Sequence, residues 1–182
     1  LVIDMSSTRQ SEAQELHAKL AAQGVTFIDA PVSGGVAGAE SGTLAIMVGG
    51  SAADFAIAEP ILKVMGRPTL VGPAGSGQLA KLCNQLIVGG TLNIVAEALL
   101  LAQAGGADPV AVRVAIRGGF AESRVLEMHG QRMLERNFMP GGQVKSQTKD
   151  LENVLIAAEA ARALGVKVYT IGVGTIGQAP IP

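Results

Sequence analysis

The apolar positions of the first 72 residues fall into short runs separated by turn residues, and the runs alternate in type. Leu1-Val2-Ile3-Asp4 reads as a buried strand that stops at its aspartate. Ser6-Ser7-Thr8 supplies cap-type side chains for a helix reaching about Gln23, with Leu16 and Leu20 four apart, and Gly24 stops it. Residues 25–30 are a second short strand, followed by a Gly-rich loop and a third strand at 43–48. Residues 52–65 form a helix ended by Gly66, and 68–71 a fourth strand. Strand–helix alternation with short connections predicts α/β layering.

The pattern changes at Gly72-Pro73 and is helical almost throughout from there to about residue 163. Ser76 is the expected cap of a long helix ending near Gly105-Gly106, and a helix of about thirty residues rises about 45 Å. Asp108-Pro109 starts another with an N-cap and a proline at its first position, and Gly118-Gly119 ends it. Further helices are expected near 121–135 and 146–164. The fold class is therefore α/β followed by all-α. Its expected domains are 1–73, a partial sheet domain, and 74–166, a helical domain, with 167–182 as a divergent tail.

Residues 86–104 are apolar enough to raise the question of a membrane span. They carry Thr91, Asn93, Glu97 and Gln103, and a charge near the centre of a span costs about 2.5–3.5 kcal/mol. A helix buried in protein is the expectation. The start has no basic segment and no cleavage site of a secretory signal.

Composition narrows the class further. Apolar residues make up 48% and charged residues 16%, which is material for a packed core and excludes a long disordered tail. Fourteen Lys/Arg against fifteen Asp/Glu lack the charge footprint of a nucleic-acid or anionic-membrane binder. Cys83 is the lone cysteine, which excludes an internal disulfide and any Cys-rich metal site. No metal is expected, and a reducing, cytoplasmic setting is. The chain opens at Leu1 inside an apolar run and closes on Ala179-Pro180-Ile181-Pro182, so a piece cut inside a fold is expected, with apolar surface left exposed.

Gly172-Val173-Gly174-Thr175-Ile176-Gly177 matches the dinucleotide fingerprint, yet that mechanism needs a following helix, and only five residues remain, two of them proline. It is not expected to bind phosphate. Asp29-Ala30-Pro31-Val32-Ser33-Gly34-Gly35 ends a strand and offers a hydroxyl and open backbone N–H groups to an anion; an ordinary Gly-rich turn fits it equally well. In Gly75-Ser76-Gly77-Gln78-Leu79-Ala80-Lys81-Leu82-Cys83-Asn84-Gln85, Lys81 lies one turn from Asn84 and Gln85, with Leu79, Leu82, Leu86 and Ile87 expected to be buried. Such a lysine either snorkels or works as a desolvated proton carrier. Lys149-Asp150-Leu151 opens the last helix and, alone, reads as an ion pair on a solvated face. His17 and His129 are expected at the surface and Cys83 in the core.

Together, Asp4-Met5-Ser6-Ser7, Asp29 to Gly35, Gly75-x-Gly77-x-x-x-Lys81-x-x-Asn84 and Lys149-Asp150-Leu151 resemble the ordered motifs of the β-hydroxyacid dehydrogenases. This family includes the 3-hydroxyisobutyrate dehydrogenases, tartronate semialdehyde reductases and 6-phosphogluconate dehydrogenases. The resemblance covers roughly residues 1–166. Arg117-Gly118-Gly119-Phe120 and Arg136 to Gly141 look most like the tartronate semialdehyde reductase branch. It implies the C-terminal half of a Rossmann domain joined by the long helix to a 6-phosphogluconate dehydrogenase-like helical domain. The implied enzyme uses NAD or NADP on a small 3-oxo or 3-hydroxy acid and forms a homodimer or homotetramer.

By the same resemblance, Ser33, Gly34 and Gly35 hold the substrate carboxylate, and Lys81 is the general acid in reduction. Asn84 and Gln85 orient the substrate, the latter standing where relatives often have asparagine. Ser7 lies beside nicotinamide or substrate, and Lys149 closes over the cofactor side. The family's Gly-rich pyrophosphate turn is absent from the sequence, so the chain by itself is expected to bind dinucleotide weakly. After Val166 the likeness ends, and 167–175 looks more like a von Willebrand A-type strand. The alternatives are a 3-hydroxyisobutyrate dehydrogenase and, in another class, a non-catalytic helical dimerisation module. The module reading predicts that Ser33, Lys81 and Lys149 do not converge.

Overall fold

The computed structural model describes residues 1–163; the glycine motif at 172–177 and the tail lie outside them. In chain order the elements are β1 (Val2–Asp4), α1 (Gln10–Ala21), β2 (Phe27–Asp29), β3 (Val32–Ser33), α2 (Gly35–Glu40) and β4 (Leu44–Gly49). Then come α3 (Ala52–Met65), β5 (Gly66–Gly72), α4 (Ser76–Ala104), α5 (Pro109–Ala115), α6 (Arg124–Leu134) and α7 (Val144–Ala163). This is the expected α/β-then-helical order.

The five strands form one mixed sheet. β1 runs parallel to β2, with Val2 opposite Phe27 and Asp4 opposite Asp29. β2 and β3 both lie antiparallel on β4, pairing Asp29 with Gly49, Val32 with Ile46 and Ser33 with Ala45. β5 runs parallel along the other side of β4. Ile28, Ala30, Leu44, Ile46 and Val48 of the sheet region pack on Ala58 and Leu62 of α3 in one aliphatic core. Such a core follows from strands whose alternate positions are apolar on a helix that repeats every four residues.

The described residues divide into two compact units, Leu1–Gly89 with Met139–Ala157, and Gly90–Phe138 with residues 158–163. Within the second, Val95, Leu99 and Leu126 form a small core. Asp108 caps α5 through Val110 N–H at 3.0 Å, as its sequence predicts, and Ser123 caps α6 through Leu126 N–H at 3.0 Å.

Several local expectations are corrected. Ser6-Ser7-Thr8 does not cap α1. Arg9 is the N-cap, its N–H donating to Glu12 Oε2 at 2.9 Å; Ser6 Oγ instead donates to Asp4 Oδ1 at 2.6 Å and Ser7 Oγ to Asp150 Oδ1 at 3.0 Å. The Gly-rich loop after Ser33 is the short helix α2. Ser76 is the first residue of α4 rather than its cap, a role taken by a carboxylate from β2 described below. On α4, Leu82 is buried, whereas Leu79, Leu86 and Ile87 are exposed, as is Cys83, expected in the core from its place between Leu82 and Asn84. Length and composition would allow α4 to cross a membrane, and the expected burial in protein is not seen, with only about a tenth of its most apolar window buried within the chain. Ile94, Leu100 and Leu101 are open as well, in line with the expected exposure of apolar surface. His17 is half-buried, with Nδ1 3.3 Å from Phe27 O and its ring edge-on to Phe27, and His129 is also half-buried.

Candidate active site

Within the first unit, the predicted residues arrive from β1–α1, β3, the start of α4 and α7. Lys81 lies in the second turn of α4, and its ammonium donates to the carbonyl of Val32 on β3, Nζ···O 2.8 Å. This places the lysine against the segment that carries Ser33. Ser33 is half-buried, and Gly34 and Gly35 are exposed. Gly34 has φ +146° and Gly35 φ +62°, conformations open to glycine and strained for other residues, which turn the backbone from β3 into α2.

A second cluster forms around Asp150 on α7, only 4% exposed. Its Oδ1 accepts from Ser7 Oγ at 3.0 Å and lies 3.2 Å from Lys149 Nζ. Its Oδ2 accepts from Gln85 Nε2 at 2.8 Å. Asn84 Nδ2 donates to Gln85 Oε1 at 2.9 Å, and Lys149 Nζ donates to Ser7 O at 2.6 Å. Ser7, Asn84, Gln85 and Lys149 are thus joined through one buried carboxylate. The expected ion pair exists, but its acidic half is not on a solvated face. Gln147 completes the α4–α7 seam, accepting from Gln85 Nε2 at 3.1 Å and donating to Gln85 O at 3.2 Å.

Electrostatics link Lys81 to this cluster. Burial, the largest cause, pushes its pKa below the ordinary lysine value; Asp150 opposes this, and the like charge of Lys149 reinforces it. A partly desolvated ammonium gives up a proton more readily than a surface one, and the negative charge of Asp150 favours its charged form.

The sign for stability follows. Lys81 has a lower value folded than unfolded, so between the two values the unfolded chain binds more protons. The cost of its burial is fully present below the folded value and fades as pH rises toward the ordinary lysine value. Asp150→Asn removes the raising influence. We expect it to lower the Lys81 pKa further and widen that window downward, read by NMR titration of the Lys81 ε-carbon. An unchanged or raised value would refute the coupling.

Sequence reasoning missed three residues as participants: Asp150, Asp29 and Gln78. Asp150 was in view as half of Lys149-Asp150, but its burial depends on α7 packing against residues 7 and 85. Asp29 had a signal, a carboxylate closing an apolar strand just before Ala30-Pro31. Asp29 and Gln78 are both 0% exposed.

Comparison with known proteins fits this layout. Residues 1–75 match the model described as the NAD binding domain of 6-phosphogluconate dehydrogenase. Residues 75–173 match the model described as NAD-binding of NADP-dependent 3-hydroxyisobutyrate dehydrogenase. The chain is 45% identical over 168 residues to the 2-hydroxy-3-oxopropionate reductase of Escherichia coli (strain K12), a match covering 92% of this chain and 56% of that protein. A Mycobacterium tuberculosis 3-hydroxyisobutyrate dehydrogenase solved with L-serine superposes with TM-score 0.77 at 32% identity, over 91% of this chain and 59% of that one. Psf3, solved with NADP+ and 2-OPP, superposes with TM-score 0.77 at 26% identity, over 98% of this chain and 58% of that one. The chain therefore spans little more than half the length of these relatives. On these matches, it belongs to the 3-hydroxyisobutyrate dehydrogenase-like family of NAD(P)-dependent β-hydroxyacid dehydrogenases.

Proposed function

We propose that the chain is the substrate-handling part of an NAD(P)-dependent reductase that converts tartronate semialdehyde (2-hydroxy-3-oxopropionate) to glycerate. The observation that carries this reading is the Lys81 ammonium, partly desolvated and hydrogen-bonded to Val32 O beside Ser33. The module alternative predicts instead that these segments lie apart. The substrate assignment is supported by the 45% identity to the Escherichia coli reductase.

In this reading Lys81 donates a proton to the carbonyl oxygen during reduction and recovers it in the reverse direction. Ser33, Gly34 and Gly35 hold the substrate carboxylate through hydroxyl and backbone donors. Asn84 and Gln85 orient the hydroxyl-bearing carbon, their carboxamides fixed by the bonds to each other and to Asp150. Ser7 and Lys149 suit the nicotinamide side of a dinucleotide, since one brings a hydroxyl and the other a half-exposed cation. The dinucleotide, NAD or NADP, supplies the hydride when bound.

The test compares tartronate semialdehyde with methylmalonate semialdehyde, using NADH and NADPH, in an enzyme of full family length carrying this chain. A site that hydrogen-bonds a substrate hydroxyl discriminates strongly against an analogue lacking it, so kcat/KM should favour tartronate semialdehyde by at least about tenfold. Equal or reversed preference would replace this reading with the 3-hydroxyisobutyrate dehydrogenase one, which the Mycobacterium tuberculosis structure favours.

A further inference from the structure

The start of α4 is held in an uncommon way. A helix leaves its first N–H groups without partners, and a nearby serine or aspartate in the sequence usually supplies them. Here the partner is Asp29 at the end of β2. Its Oδ1 accepts from Gly75 N–H at 2.7 Å, and its Oδ2 accepts from Gln78 N–H at 2.8 Å. The carboxylate is fully buried, a costly position made tolerable by two N–H donors and the positive end of the helix. A local cap would stabilise α4 equally well. What the distant one adds is a fixed position of the helix on the sheet.

Gly49 and Gly77 make that contact possible. A Cβ on Gly49 would stand 2.4 Å from Asp29 Oδ1, and one on Gly77 2.7 Å from Asp29 Oδ2. Next to this clamp, the fully buried Gln78 side chain reaches the turn before α1. Its Oε1 accepts from Thr8 N–H at 3.0 Å, and its Nε2 donates to Ser6 O at 2.9 Å. The two peptide groups flanking Ser7 are thereby fixed.

These bonds close a ring. Asp29 is bonded to the first turn of α4; one turn on, Lys81 reaches back to Val32 O, three residues beyond Asp29 on the same chain segment. The Lys81 bond thus spans the two segments that Asp29 holds together. Gln78, between them, adds the segment bearing Ser7.

We propose that Asp29 and Gln78 are positioning residues: together they set where the Lys81 ammonium meets the Ser33 segment and how Ser7 is presented, without touching reactants themselves. The catalytic meaning of this rests on Lys81 being the proton donor of the proposed function; the positioning itself does not.

The test uses NMR on the chain as it stands, with its readout at Lys81. Gln78→Met keeps approximate bulk and removes both amide bonds, and Asp29→Asn replaces one acceptor by a donor facing an N–H. In folded variants we expect water to reach the ammonium, so the Lys81 pKa rises toward the ordinary lysine value while Asp150 and Lys149 of α7 still face it. A merely structural pair would lower the melting temperature and leave the Lys81 titration of the folded state unmoved; that result overturns the proposal. If neither variant folds, hydrogen exchange in the unaltered chain decides. The Gly75 and Gln78 amides should be protected, whereas helix-start amides ordinarily exchange freely, and free exchange there overturns the proposal too. Should the Lys81 titration respond while Lys81→Met keeps normal turnover, the positioning holds and the proton-donor reading falls.

Discussion

Lys81→Met, in an enzyme of full family length carrying this chain, is expected to lower reductive turnover by about 10²–10⁴-fold, the range of a single positioned acid. At 1.36 kcal/mol per tenfold, that is about 2.7–5.4 kcal/mol of barrier. Dinucleotide affinity should change little, because in this reading Ser7 and Lys149 face the cofactor and Lys81 faces the substrate carbonyl. Lys81→Arg should fail nearly as badly: a guanidinium keeps the charge but does not release its proton, and its planar fork does not reproduce the single bond to Val32 O. Steady-state kinetics with fluorescence titration of NADPH checks both halves. Near-normal turnover of either variant would remove Lys81 from the reaction. Reduction needs the charged form, so its rate should fall as pH rises through the lowered Lys81 value. Asp150→Asn should move that limb to lower pH.

A large stability effect is expected at Gly77. A Cβ there would lie 2.4 Å from Met47 O and 2.8 Å from Asp29 O, both backbone atoms of the sheet that cannot swing away. Gly77→Ala must lift the first turn of α4 off β2 and β4, weakening the Asp29 bonds with it. Overpacking of this kind costs about 3 kcal/mol, which for a chain of this size lowers the melting temperature by about 6–12 °C. Gly90, on the same helix, has nothing within 4 Å of a Cβ. There the same substitution should stabilise by up to about 1 kcal/mol through helix propensity. Thermal unfolding of the two variants should therefore shift in opposite directions, and a common sign would show that backbone approach is not what the glycine at 77 serves.

Much of the sheet-and-helix order was readable because each element carries its own signal. Asp108-Pro109 announces α5 by cap and fixed φ, and 52–65 is bounded by Ser51 and Gly66 on both sides. Residues 6–8 misled for a definite reason: a serine that looks like a helix cap serves equally well as a partner for another group. Ser7 Oγ bonds the distant Asp150, Ser6 Oγ bonds Asp4, and Thr8 offers its backbone N–H to Gln78. Cys83 misled differently. Residues adjacent in sequence lie on other faces of a helix, so the buried Leu82 beside it does not predict its burial.

The sequence by itself determined most of the elements, the change of character near residue 73, and the residue types of the site: one lysine among amides, a serine before two glycines, and a Lys-Asp pair. These are local in origin, set by periodicity, caps and glycine conformations. Only the tertiary structure decided which of them meet. The burial of Asp150 needs α7 against residues 7 and 85, and the capping of α4 needs a carboxylate 46 residues away. Lys81 has a depressed pKa because burial in the folded chain desolvates it, an effect that Asp150, brought near by α7, opposes. Desolvation and charge proximity depend on distances in space, and those arise from packing that no single segment encodes.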